Sequence, residues 1–155
     1  MAKSGNVMAV CMALASPSAF AQPTPDGQGV PVYRGPVASP MLTRDKRLFR
    51  TRIREAFAQG VNFGAHYVVI AIGCGAGCRL VYVGDAKTGR VLDFPLSGES
   101  FFELELFYRP ESSIIEGQWN DDEHGAGCVR RTYALTGGKF LLVRPESRLA
   151  GTCPG

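Results

Sequence analysis

Tyr67-Val68-Val69-Ile70-Ala71-Ile72-Gly73-Cys74-Gly75-Ala76-Gly77-Cys78-Arg79-Leu80-Val81-Tyr82-Val83 decides the fold. Two β-branched, apolar runs flank a turn made almost wholly of glycine and cysteine. A straight strand rises about 3.3 Å per residue, so Cys74 and Cys78 would sit about 13 Å apart along it. A disulfide needs its Cα atoms within roughly 7 Å. Gly75, Ala76 and Gly77 carry so little side chain that the backbone folds back on itself there. The stretch therefore predicts a hairpin with a local Cys74–Cys78 bridge at its tip.

Strand-like cadence continues toward the C-terminus. Asp85-Ala86-Lys87-Thr88-Gly89 is a polar turn leading into Arg90–Phe94, and Glu103-Leu104-Glu105-Leu106 alternates as a half-buried strand does. Arg109-Pro110-Glu111-Ser112 turns the chain into a strand over 113–119, and Asn120–Gly127 reads as a loop. Val129–Leu135, Thr136-Gly137-Gly138-Lys139 and Phe140–Arg144 make the clearest hairpin. On the N-terminal side the period changes. Ser39-Pro40 reads as an N-cap followed by a first-turn proline. Leu42, Phe49, Ile53, Ala56 and Phe57 then share one helical face up to Gln59, with Gly60 as the C-terminal cap. The expected class is α+β: one N-terminal amphipathic helix packed on an antiparallel sheet of six to seven short strands.

The first 21 residues read as a secretory signal. Lys3 supplies a positive start, Val7–Ala15 an apolar stretch, and Ala19-Phe20-Ala21 the small-x-small cleavage pattern. That apolar stretch falls short of the about 20 residues a membrane span needs, and no other run is long enough. Residues 22–39, with four prolines and three glycines, read as a flexible leader, and residues 40–155 as a single domain. Cleavage removes Cys11 and leaves Cys74, Cys78, Cys128 and Cys153, an even set that favours two disulfides in an exported chain. Cys128 opens the last hairpin and Cys153 follows its second strand, so the turn at Gly137-Gly138 brings them to one side and predicts a Cys128–Cys153 bridge.

Charge is segregated. Residues 43–58 hold six basic residues against Asp45 and Glu55, and residues 93–123 hold nine acids against Arg109. With a net charge of +3 overall and so large an acidic block, nucleic-acid binding is excluded as the working expectation.

Several stretches resemble a group of small exported bacterial proteins whose function is not established. They are Asn62-Phe63-Gly64-Ala65-His66-Tyr67, the Gly-Cys-Gly-x-x-Cys stretch at 73–78, Asp85-Ala86-Lys87-Thr88-Gly89-Arg90-Val91, Tyr108-Arg109-Pro110-Glu111-Ser112-Ser113 and the closing hairpin. The resemblance covers roughly residues 43–145 and brings no activity, cofactor or catalytic residue with it.

The residues themselves offer few routes to chemistry. Cys74, Cys78, His124 and Cys128 give four N/S donors, the number a structural zinc site uses. An oxidising compartment pairs such thiols first, so disulfides are the preferred reading and no metal is assigned. Thioredoxin-type chemistry needs two intervening residues at a helix start, and here three precede a strand. The glycines lack the spacing and the following helix of a phosphate cradle. His66 and His124 are the imidazoles available as bases. Glu103, Glu105, Glu116, Asp121 and Asp122 are the carboxylates available for a paired-acid hydrolase. Asn120-Asp121-Asp122-Glu123 lacks the Asp-x-Asp-x-Asp-Gly pattern of a calcium loop. The basic helix face suits a solvated surface better than a lipid one. The reading that remains is a disulfide-stapled binding protein, periplasmic or secreted and of inhibitor or immunity type. It has no cofactor, no assigned catalytic residue and another envelope or secreted protein as its partner. An envelope hydrolase and a metal-binding accessory protein are the alternatives.

Overall fold

A computed structural model of the chain describes residues 29–121, 124 and 127–154. The signal segment, the start of the leader, Asp122 and Glu123 lie outside the described residues. The chain is mostly β. A 3-10 turn, Lys46–Phe49, leads into helix α1, Arg50–Gln59, and seven strands follow. They are β1 (Tyr67–Gly75), β2 (Cys78–Asp85), β3 (Val91–Asp93), β4 (Phe102–Tyr108), β5 (Ile114–Asn120), β6 (Gly127–Thr136) and β7 (Lys139–Ala150). They form two antiparallel sheets, β1-β2-β3 and β4-β5-β6-β7.

This corrects the expected α+β arrangement of an N-terminal helix on one sheet in two respects. The helix is short and lies mid-chain. Residues 38–41 run extended instead, because Ala38 N–H donates to the Ala86 carbonyl and Met41 N–H to that of Gly89. These bonds to the 85–89 turn hold the segment extended past the point where Ser39-Pro40 would start a helix. The strands also split after β3. Phe94 and Leu96 are buried on either side of Pro95, which has no N–H for a ladder, and the chain crosses to start a second sheet. Alternation reports that a residue faces in or out, never which sheet its strand joins.

The layering follows from the apolar runs. Val68, Ile70, Ile72 and Tyr82 meet Ile53 and Phe57 of α1 on one face of the three-stranded sheet. From the other face Val69, Val81 and Val83 enter a second core with Phe63, Phe94, Leu96, Leu104, Ile115, Trp119, Val129 and Leu135. Strands buried on both faces read as continuous hydrophobic runs, and β1 and β2 do. Phe57 lies against Gly84, where any Cβ would occupy the ring's place. The layers are helix, three-stranded sheet, four-stranded sheet.

Both disulfides are present. Cys74–Cys78 closes the β1–β2 turn with its Cα atoms 5.1 Å apart, and Cys128–Cys153 ties the C-terminal tail to β6 at 4.7 Å. Among the described residues no helix is long and apolar enough to cross a membrane. From Val30 onward the leader lies along the body, with Val30 and Tyr33 donating their N–H groups to the Glu111 and Ala65 carbonyls.

Candidate functional site

The four-stranded sheet turns Ile115, Trp119 and Leu104 into the core, so the alternate residues of the same strands face outward. Register aligns these in rows. Glu105 is opposite Gln118, Gln118 opposite Arg130, and Arg130 opposite Ser147. One row further, Phe107, Glu116, Thr132 and Arg144 lie side by side.

The rows are joined by side-chain hydrogen bonds. Gln118 Nε2 donates to Glu105 Oε2 at 2.8 Å and to the Pro154 carbonyl at 2.7 Å, while its Oε1 accepts from Arg130 Nε at 3.1 Å. Asn120 Nδ2 donates to Glu103 Oε2 at 2.7 Å and its Oδ1 accepts from the Cys153 N–H at 2.8 Å. Thr132 Oγ1 donates to Glu116 Oε2 at 3.1 Å. The C-terminal tail, fixed by Cys128–Cys153, thus straps over Gln118, which is only 1% exposed although it points away from the apolar core. A buried amide is tolerable because each of its polar atoms is paired.

Where β4 begins, this polar face opens into a cleft of about 830 Å³ between the two sheets. Gly73, Gly75 and Gly77 of the β1–β2 hairpin form one wall, Glu103 and Glu105 the other, and Arg79, Asn120 and Cys153 close it. A sulfur residue of each disulfide, Cys78 and Cys153, borders the same space. The side-chain positions of Gly73 and Gly75 are open space, so this wall carries no side-chain bulk.

Glu103 is held in an unusual conformation. Its φ is +55°, in the left-handed region that costs a residue with a Cβ about 1–2 kcal/mol. It sits at the irregularity in the β4–β5 ladder, and its N–H donates to the Gly77 carbonyl at 2.7 Å. Arg79 Nη1 donates to the Leu104 carbonyl. The two bonds lash the start of β4 to the cysteine turn and aim the Glu103 carboxylate along the outer face. Each glutamate accepts from an amide through one oxygen, Glu103 from Asn120 and Glu105 from Gln118.

The other residues singled out in the sequence are dispersed. Cys74, Cys78 and Cys128 are all in disulfides, so none supplies the thiolate that zinc ligation with His124 requires. Among the described residues no three metal-capable side chains cluster. Asp121 pairs with Arg148 at 2.6 Å, and Arg148 also pairs with Glu146.

His66 comes within 3.9 Å of Asp85 and stacks on Tyr67 at 4.2 Å between ring centroids. Asp85, however, spends its oxygens on the turn it caps, accepting from the Lys87 N–H and from the Thr88 hydroxyl. Burial lowers the His66 pKa, outweighing the nearby Asp85 charge, so the ring is neutral at pH 7. The same burial raises the Tyr67 phenol.

On the basic helical segment Lys46 is buried instead of solvated. Its ammonium lies 2.9 Å from Asp93 and over the Tyr82 ring. Burial alone would lower its pKa, but the bond to Asp93 and the charges of Asp93 and Asp45 raise it.

Gln118 is missed at the sequence level, Asn120 enters there only as the start of an acidic loop, and Arg79 is missed as well. A signal for the first two existed: Glu116, Gln118 and Asn120 repeat at every second position, as Glu103 and Glu105 do, and Glu105 pairs opposite Gln118 while Glu103 reaches Asn120 across an irregularity in the ladder. No protein-family model, curated protein or solved structure matches this chain.

Proposed function

We propose that this is an exported binding protein of inhibitor or immunity type, taking a donor-rich segment of another envelope or secreted protein into the cleft between its sheets. The observation that carries the reading is Glu103, kept at φ +55° beside a cleft bounded by both disulfides. Backbone strain of this kind persists where surrounding structure enforces it, and it concentrates at ligand-contacting positions. Two carboxylates with amide-held orientations, open glycine backbone and cross-linked rims make a rigid surface that gives up little entropy on binding. The two disulfides fit an oxidising compartment, periplasmic or extracellular.

Glu103→Gly and Glu103→Ala provide the test. Both remove the carboxylate, but only glycine accepts φ +55° without strain, so Glu103→Gly should be the more stable by about 1 kcal/mol. Cross-linking in the envelope fraction should yield a partner adduct with the wild type and lose it with Glu103→Gly. A well-folded Glu103→Gly that retains the same adduct removes the cleft from the account.

A further inference from the structure

Strand β7 is an edge strand twelve residues long, and its two halves differ. Beyond Pro145, which has no N–H, the strand carries Glu146 and Arg148 in an ion-pair network with Arg131 and Asp121. Proline and charge are how proteins blunt a sheet edge. The first half has no proline, and its charges, Lys139 and Arg144, stand only at its two ends. Leu141, Leu142 and Val143 follow one another and are 53%, 54% and 46% exposed.

Their backbone is open too. Gly137 and Gly138 both have positive φ, the two-residue turn that makes Thr136 and Lys139 a hydrogen-bonded pair. Hydrogen-bonded and non-bonded pairs alternate from there, so Phe140 and Leu142 turn their N–H and C=O groups away from β6. Leu135, opposite Phe140, confirms the phase by donating to Ser113 on the far side.

Beside this edge a trough of about 550 Å³ crosses the outer face of the sheet, lined by Phe107, Ile114 and Val143 with Arg109, Arg144 and Glu116. Glu116 accepts from Thr132, whereas neither Arg109 nor Arg144 has an ion-pair partner among the described residues. Lys139 adds a further positive charge at the start of the strand.

We infer that residues 139–144 of β7 receive an extended peptide segment, apolar at its centre and acidic at its ends, as an added antiparallel strand. Main-chain bonds to Phe140 and Leu142 supply affinity, and alternate side chains of the segment pack beside Val143 at the rim of the trough. The flanking cations select acid. They also disfavour a second copy of this chain, since self-pairing of the strand brings Lys139 and Arg144 of both copies into one short segment. The surface is separate from the cleft, so each reading stands or falls by its own test.

The probe is a blocked peptide of alternating valine and threonine with glutamate at both ends, and a twin ending in lysine. Amide NMR titration should shift residues 139–144 with the acidic peptide and bind the lysine twin at least tenfold more weakly. Leu142→Pro removes an outward N–H that β6 does not use and should abolish binding. Arg144→Glu, which leaves the ladder intact, should reverse the preference between the twins. Equal binding of the twins, shifts confined to other surfaces, no shifts at millimolar peptide, or a concentration-dependent dimer through these residues would each overturn the inference.

Discussion

The two sheets solve the same packing problem with opposite chemistry. The three-stranded sheet is covered on both faces, by α1 on one side and by the second sheet on the other, and its central residues are nearly all apolar. The four-stranded sheet buries one face and covers part of the other with a strap of its own C-terminus, over polar groups. Apolar burial needs only volume and contact, whereas a covered polar face needs every donor and acceptor matched. The first sheet is therefore held by close packing, and the second by a specific pairing of polar groups. Truncation measures the difference. Phe57→Ala should lower stability by about 3–5 kcal/mol, because the ring lies against Gly84 and leaves a cavity there. Gln118→Ala leaves the Arg130 and Glu105 groups short of a partner and should cost about 1–3 kcal/mol. Urea unfolding with an unchanged m-value reads both. Equal losses would make the polar row as much a core as the apolar one.

Legibility in the sequence divides along the same line. The β1–β2 hairpin was readable because its chemistry is local: apolar runs, a glycine turn and two cysteines four residues apart. The closing hairpin was readable from Gly137-Gly138 for the same reason. The number of sheets was not. Nothing within Phe94–Ser100 distinguishes a crossover from a long turn until Phe94 and Leu96 are seen buried in the inter-sheet core. The helix began later than Ser39-Pro40 implied, because the carbonyls that capture Ala38 and Met41 come from residues 86 and 89. The candidate cleft depends on non-local register in the same way. Glu103 and Glu105 stood out as carboxylates, but their amide partners Asn120 and Gln118 face them only once β4 and β5 pair.

The two disulfides sharpen the comparison, since one belongs to each sheet. Cys74–Cys78 spans four residues within a turn that the β1–β2 ladder already closes, and Cys128–Cys153 spans twenty-five and holds the strap. On the chain-entropy account the long bridge contributes about 3.5 kcal/mol and the short one about 2. The Cys128→Ser/Cys153→Ser pair should therefore melt well below the Cys74→Ser/Cys78→Ser pair. Loss of the long bridge should also raise hydrogen exchange at Gln118 and Asn120, while leaving the β1–β2 hairpin protected. If the short bridge proves the costlier to remove, the cysteine turn is not held by its ladder alone and carries strain that the bridge restrains.

The smallest effect lies where the β1–β2 pair meets its polar turn, at His66. Burial lowers the folded-state pKa of this imidazole below its ordinary value of 6.5, with Asp85 pulling the other way. In the window between the folded and unfolded values the unfolded chain binds a proton that the folded protein refuses, so stability rises with pH across it. The contribution is complete above pH 6.5 and is lost as pH falls through the folded value. His66→Gln keeps a polar side chain and removes the titration. Its stability should therefore be flatter than that of the wild type between pH 7.5 and pH 5.5, measured by urea midpoint at each pH. A wild-type curve that instead gains stability on acidification, with the gain abolished in His66→Gln, would mean that the Asp85 charge dominates. The His66–Asp85 pair would then be a protonated ion pair in the folded protein, and the neutral imidazole assigned to this turn would be wrong.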